Sequence, residues 1–313
     1  MNKVFCLGEA MSDTFISLEE AEIISGQEKK ICLPYGEKLN VAKMAHKSGG
    51  SGFNVAVGLK RLGLEASLVA NLGDDSEGAR LKSALDKEGI DGSNVIQSSK
   101  FETKAAIILN GKDGDRTILV YHGKGVLDKK MIAWEKIEDG SWFYLGPLPN
   151  TARKLIDYVL QMAVEKNLKL AVNPGSVQVE WSREDSLKII SKSELYVLNK
   201  EEAREILRNT KKNKELLRSF AEAGAKKVII TDGMNGSDAF DGKNYYHQNI
   251  VKVKTVEMTG AGDAYLAGVV GGLVHGKKLD QAMKWGAINS ASVVTKLGAQ
   301  EGLLDLNEIK GKI

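Results

Sequence analysis

The chain has 313 residues, 42% hydrophobic and 27% charged, an ordinary composition for a globular protein with a sizeable core. Its 44 basic and 41 acidic residues leave a net charge of +3 without a basic stripe, so no nucleic-acid partner is expected. No stretch approaches the ~18 apolar residues of a membrane span, the apolar run in residues 1–8 is too short for a signal peptide, and Cys6 and Cys32 lack metal-site spacing. A cytoplasmic protein without a membrane partner is the expectation.

In chain order, residues 3–7 read as a buried strand ending at Gly8. Asp13 follows just past it. Open α/β sheets bind ligands beyond the carboxyl ends of their strands, and an Asx turn is the alternative role for such an Asp. Residues 14–48 mix short apolar pieces with Gly26, Pro34 and Gly36, and should leave the main sheet as a small β excursion. Gly49-Gly50-Ser51-Gly52-Phe53-Asn54 then opens an amphipathic helix closed by Gly63. Residues 66–71 form the next strand, and the stretch from Gly73 to Gly78 caps a helix through Leu85. Strands at 103–110 and 116–121 should pair across a turn at 111–115.

Alternation of strands and helices resumes near residue 126. Strands are expected at 142–146, 169–172, 196–198 and 227–230, then near 239 and over 245–254. Helices are expected at 152–166, 203–208 and 215–223, and then at 264–275, 280–285 and 287–297. This pattern predicts an α/β fold with a doubly wound, mostly parallel sheet. Residues 1–13, 44–100 and 126–313 would form the core, and residues 14–43 and 101–125 a small β lid. The charge run at 211–214 reads as a solvated face.

Three polar or glycine-rich strand ends in the second half should meet at one edge of such a sheet: Asn199 with Glu202, Thr231 with Gly233 and Gly236, and residues 259–263. Gly260-Ala261-Gly262-Asp263 reads as a tight turn opening a helix. Free N–H groups at a helix start suit a phosphate, and an adjacent carboxylate suits proton abstraction from a hydroxyl. Together these are the minimum equipment for phosphoryl transfer. Asn199 and Glu202 lie one helical turn apart, which suits either Mg²⁺ coordination or a capping box. There is no GxxxxGK[ST] loop, no GxGxxG after the first strand, no GxSxG elbow and no paired-histidine metal motif.

These residues carry a resemblance. The sequence resembles the PfkB (ribokinase-like) carbohydrate kinase family over essentially its whole length. Two signatures occur in order: Gly49-Gly50-Ser51-Gly52-Phe53-Asn54-x-Ala56, with Gly63 and Gly73 downstream, and Gly260-Ala261-Gly262-Asp263-Ala264-x-x-Ala267-Gly268. Between them stand Gly73-Asp74-Asp75-x-x-Gly78, Asp113-Gly114-Asp115-Arg116-Thr117, Asn199-x-x-Glu202 and Thr231-x-Gly233-x-x-Gly236. Asn289 and Gly298-Ala299-Gln300 follow.

The resemblance implies an ATP- and Mg²⁺-dependent kinase acting on a hydroxyl of a small sugar-like substrate. Asp263 would be the base, and the N–H groups of Gly260, Ala261 and Gly262 the anion hole. Asn199 and Glu202 would serve the Mg²⁺–phosphate network, with Glu202 reaching the metal through water. Thr231, Gly233, Gly236 and the segment around Asn289 would line the ATP site, and Asp13, Gly49, Gly50 and Asn54 would hold acceptor hydroxyls. The lid would exclude water so that ATP is not simply hydrolysed. A homodimer paired through the lid is implied by analogy alone.

The chain departs from the pattern in places. Glu257-Met258 stands where the second signature usually begins Asp-Thr, an Asp that belongs to a monovalent-cation site in ribokinase-like members; K⁺ activation is therefore not the default expectation. Ser51 stands where ribokinases tend to carry Lys, and Phe53 is bulkier than the residue often found there and should press on the acceptor pocket. Same-fold alternatives are a nucleoside kinase, stacking a base on Phe15, Tyr35, Phe53, Phe101 or Tyr121, and a sugar-phosphate kinase, using Lys38, Lys43, Lys104, Arg116 or Lys124. A non-catalytic ligand-binding member is the third.

Overall fold

β1 (Lys3–Leu7) is the centre of the molecule. Its side chains alternate, sending Val4 and Cys6 into one apolar layer and Phe5 and Leu7 into the other. A strand buried on both faces needs helices on both sides, and the rest of the chain supplies them. The computed structural model describes residues 3–18, 22–25, 29–111, 116–208 and 212–312. The turn expected at 111–115 lies, beyond Gly111, outside the described residues, as does Lys211 of the expected charged face.

After β1 the chain leaves for β2 (Met11–Leu18), β3 (Glu22–Ser25), β4 (Lys29–Cys32) and β5 (Val41–Gly49). It returns through α1 (Ser51–Arg61), β6 (Glu65–Gly73), α2 (Ser76–Lys87) and β7 (Asp91–Ser98). A second departure makes β8 (Lys104–Asn110) and β9 (Arg116–Tyr121). Then come β10 (Trp142–Leu145), α3 (Arg153–Glu165), β11 (Lys169–Val172), α4 (Gly175–Val179), α5 (Arg183–Ile190) and β12 (Ser193–Asn199). α6 (Lys200–Leu207), α7 (Asn213–Glu222), β13 (Val228–Thr231), β14 (Ser237–Phe240) and β15 (Tyr245–Gln248) lead to α8 (Ala261–Val274), α9 (Leu279–Val293) and α10 (Leu306–Gly311).

Among the described residues, nine strands form the main sheet in the order β15-β14-β13-β12-β11-β10-β1-β6-β7. β7 through β13 run parallel, and β14 and β15 add an antiparallel hairpin at one edge. α1, α2, α8 and α9 pack on one face, and α3, α5, α6 and α7 on the other. The chain builds outward from β1 to β7, then restarts at β10 on the other side of β1. That reversal makes a crevice at the strands' carboxyl ends, where such sheets bind ligands. Among the described residues no helix is long and apolar enough to cross a membrane.

β5-β2-β8-β9 form a separate four-stranded sheet. Its strands run past the divisions expected from sequence: β2 includes Asp13, and β5 extends to Gly49, at the threshold of α1. Phe15, Ala106 and Ile108 make a small apolar cluster on its inner face, with Met11, Ala45 and Leu297 against it.

Two expectations need correction, and one strand carries no signal in the sequence. The helices expected at 280–285 and 287–297 are one, α9, unbroken at Gly286. A Cβ on Gly268 of α8 would lie 2.7 Å from Gly286 Cα, so Gly286 serves close helix approach and not termination. The strand expected over 245–254 stops at Gln248. β7 went unforeseen because Asp91-Gly92-Ser93-Asn94 carries no hydrophobic period, and an edge strand needs little.

Candidate active site

The crevice is floored by two helix starts. α1 begins after Gly50, whose φ of 90° is open to glycine and strained for other residues. Gly49 lies against the Asp13 carboxylate, and a Cβ on Gly52 would come within 2.7 Å of Gly8. These glycines let β1, β2 and α1 converge. The convergence puts Asn54, in the first turn of α1 and buried, opposite the start of α8.

α8 starts with Gly260 in the left-handed conformation (φ 79°, ψ 0°), pressed on Ala299 and without a side-chain cap. The Ala261 N–H is spent on Met258 O at 3.2 Å, so it drops from the expected anion hole. The N–H groups of Gly260, Gly262 and Asp263 have no acceptor among the described residues. A Cβ on Gly262 would meet nothing within 4 Å, so this helix start faces open space.

Asp263 projects from that first turn. Its Oδ2 accepts a 2.8 Å hydrogen bond from Asn54 Nδ2. Asn54 is itself oriented by Gln300, whose Nε2 donates to Asn54 Oδ1 at 3.0 Å. Arg61, at the far end of α1, donates to Gln300 O at 2.6 Å and to Leu303 O at 3.3 Å. Burial pushes the Asp263 carboxyl up to about 6, against the Asn54 bond, which pulls it down. A carboxylate there is ionised near neutrality yet basic enough to accept a proton.

Asp13 is 4% exposed, and its Oδ1 is buried without a partner among the described residues. Burial first, then the charges of Asp263 and Glu257, push its carboxyl up to about 7, while Arg80 pulls it down. The structure thus brings together Asp13, Gly49, Gly50, Asn54 and Asp263.

The remaining expected residues form a second group. Asn199 and Thr231 are register partners across β12 and β13. Asn199 caps α6 in a reciprocal capping box: Oδ1 accepts from Glu202 N at 2.8 Å, and Glu202 Oε2 accepts from Asn199 N at 2.9 Å. Glu202 keeps its other oxygen, and burial raises its carboxyl. Gly233 has a positive φ and open space around it, whereas Gly236 lies against Gln248 O. The buried Tyr144 hydroxyl feels the charges of both Asp263 and Glu202, and is pushed well above its ordinary value chiefly by burial. Both carboxylates therefore lie within electrostatic reach of one buried hydroxyl on β10.

Two expectations fail. Asn289 is fully buried: its Nδ2 donates to Ala264 O at 2.8 Å and its Oδ1 accepts from Leu304 N at 3.0 Å, so it braces α8 from behind. Phe53 points into the core beside Val4 and Cys6, not at the crevice. Gln300 is a member that residue-by-residue reading left without a role, although it follows directly on Gly298-Ala299.

A parallel sheet with this crevice, this helix start and this carboxylate has the outline of a phosphotransferase. The model of the pfkB family carbohydrate kinases matches residues 1–306. An ATP-dependent 6-phosphofructokinase of Thermoanaerobacterium thermosaccharolyticum is 25% identical over 90% of this chain and 89% of its own length. A ribokinase of Haemophilus influenzae is 28% identical over 87% of this chain and 90% of its own. The crystal structure of a ribokinase from Thermotoga maritima superposes with a TM-score of 0.83 at 23% identity, covering 99% of both chains. The chain belongs to the pfkB family of carbohydrate kinases, and is an ATP-dependent phosphotransferase.

Proposed function

We propose that this kinase phosphorylates a hydroxyl of a neutral sugar or sugar derivative. The observation that carries the reading is the Asn54–Asp263 pair at the open start of α8. Asp263 takes the proton of the acceptor hydroxyl as its oxygen attacks the terminal phosphorus of ATP, and the bond from that phosphorus to the bridging oxygen breaks so that ADP leaves. The N–H groups of Gly260 and Gly262 hold the charge that develops on the transferred group. Asn54, held by Gln300, keeps the carboxylate aimed. Asp13, with one buried oxygen unpartnered, is placed to accept a hydroxyl of the acceptor.

Asn199, Glu202, Thr231 and Gly233 form the nucleotide side. Glu202 fits a part in holding Mg²⁺, since one oxygen stays free and its raised carboxyl would be relieved by a cation. Mg²⁺ would supply charge neutralisation at the phosphates. Among the described residues no cluster of three or more His, Cys, Asp or Glu could hold a metal alone, so nucleotide oxygens and water would complete its shell. The four-stranded sheet serves as the lid.

Neutrality of the acceptor rests on charge pairing. Of the five cations a phosphorylated acceptor could use, Lys104 faces Glu9 at 2.7 Å, Lys124 faces Glu102 at 2.6 Å and Arg116 faces Glu257 at 3.2 Å, while Lys38 and Lys43 are exposed and have no carboxylate partner among the described residues. Lys47 is likewise joined to Glu301 at 2.7 Å. Base stacking is poorly served: Phe15, Phe53 and Phe101 are buried, Tyr35 is fully exposed, and Tyr121 is bonded to Glu102.

An ADP-release screen over neutral sugars, sugar acids, sugar phosphates and nucleosides tests this reading. Turnover is expected with a neutral sugar. A strict requirement for a phosphorylated acceptor or a nucleoside would sink the acceptor class and leave the base assignment standing.

A further inference from the structure

Glu257 is a buried carboxylate just before the open start of α8. It sits three residues before Gly260, and its side chain is 5% exposed. Its backbone is fixed to the end of α9, with Val256 N and Glu257 N both donating to Val294 O. Its Oε1 accepts from Thr259 N at 2.8 Å and from Thr259 Oγ1 at 2.6 Å. The carboxylate thus clamps the residue that leads into the left-handed Gly260. Its Oε2 is buried with no partner among the described residues.

A buried charge held in this way needs a counter-charge. It comes from the other sheet: Arg116, the first residue of β9, brings its Nε to 3.2 Å from Glu257 Oε1, an ion pair without a hydrogen bond. No sequence proximity forces the contact, since 141 positions separate the two (257 − 116). The need is sharpened by the neighbours. The charges of Glu257 and Asp263 both bear on Asp13, so three carboxylates lie within electrostatic reach of one another here. An anionic phosphoryl group moving into that company is repelled unless one of them is neutralised.

We propose that Arg116 is a positioning residue for phosphoryl transfer: by pairing with Glu257 it locks the 257–261 turn, with the Gly260 and Gly262 N–H groups, and cancels a negative charge beside the path of the transferred group. The lid thereby completes the anion hole from outside it. An open lid leaves Glu257 bare and the turn slack, so transfer is tied to closure. The catalytic part of this inference rests on the kinase reading above.

The test is a cycle of R116A, E257Q and the double variant in the full-length chain, with ATP and the best acceptor from the screen. R116A should lose roughly tenfold or more in kcat, as for a weakened anion hole, with KM for ATP nearly unchanged. The same substitution in the E257Q background should cost far less, because no charge is left to cancel. Guanidinium chloride should restore part of the R116A turnover, without helping R116A/E257Q, and KCl at equal ionic strength should not substitute for it. An equal loss in both backgrounds, or equal rescue by KCl, overturns the proposal. Hydrogen exchange at the Thr259 amide supplies an arm that needs no acceptor. It should be faster in R116A than in the wild type, and an unchanged rate overturns the clamp. If the wild-type chain phosphorylates nothing, the kinase reading fails while this arm still reports on the clamp.

Discussion

The two glycine-rich helix starts look alike in sequence and do opposite things. At α1, the glycines are consumed by packing: Gly49 on Asp13, Gly50 on Glu9 O and Gly52 on Gly8. At α8, only Gly260 is consumed, against Ala299, while Gly262 looks into open space with its N–H unspent. The first start builds a wall that delivers Asn54, and the second leaves open space at a helix N-terminus. A glycine motif therefore signals a tight backbone, and its surroundings decide whether the tightness serves the fold or the chemistry.

The comparison breaks most visibly at the residue the second start carries. Asp263→Asn keeps the shape and the Asn54 contact on one side, but cannot take a proton. Turnover should fall by ~10²–10⁴-fold, measured as kcat with circular dichroism confirming the fold. Retention of near-normal turnover would remove Asp263 from its role.

A paired alanine substitution sharpens the contrast. Gly52→Ala puts a methyl within 2.7 Å of the Gly8 backbone, and should destabilise by about 1–3 kcal/mol through overpacking, read as a lower urea midpoint. Gly262→Ala meets nothing, so stability should stay within about 0.5 kcal/mol. Its methyl would instead crowd the exposed helix start, and turnover should drop by roughly tenfold. If Gly262→Ala destabilises while Gly52→Ala does not, the division of labour is reversed.

The smallest effect is electrostatic. Asp13 (about 7) and Asp263 (about 6) are both held above the ordinary Asp value of 3.8. The folded chain therefore binds these protons more tightly than the unfolded chain, and their contribution to stability falls as pH rises from about 4 to about 7. Asp13→Asn should flatten that slope in denaturant titrations. Activity runs the other way, because the base works ionised: kcat/KM should climb with pH through about 6 and level above it. An activity profile flat from pH 5 to pH 8 would contradict the assignment.

Much of this was legible beforehand. Strand–helix alternation gave the doubly wound sheet, because a strand buried on both faces is apolar throughout and its helices are periodic. The ordered stations at residues 49–54 and 260–263 marked two helix starts, and those at 199–202 and 231–236 the ends of two neighbouring strands, because backbone constraints leave glycines and caps in the chain. What stayed hidden depends on distant partners. Phe53 faces the core because the helix begins at Ser51 and its rotation is set by packing on β1. Asn289 looked like a ligand residue until Ala264 and Leu304 took its amide. Lys104, Arg116 and Lys124 looked available until each met its carboxylate.

Asp263, Asn54 and Gln300 are joined in one line by two hydrogen bonds, bridging 209 and 246 positions of chain. Neither glycine signature is therefore complete by itself: a glutamine beyond α9 sets the aim of a side chain on α1, and that side chain sets the aim of a carboxylate on α8.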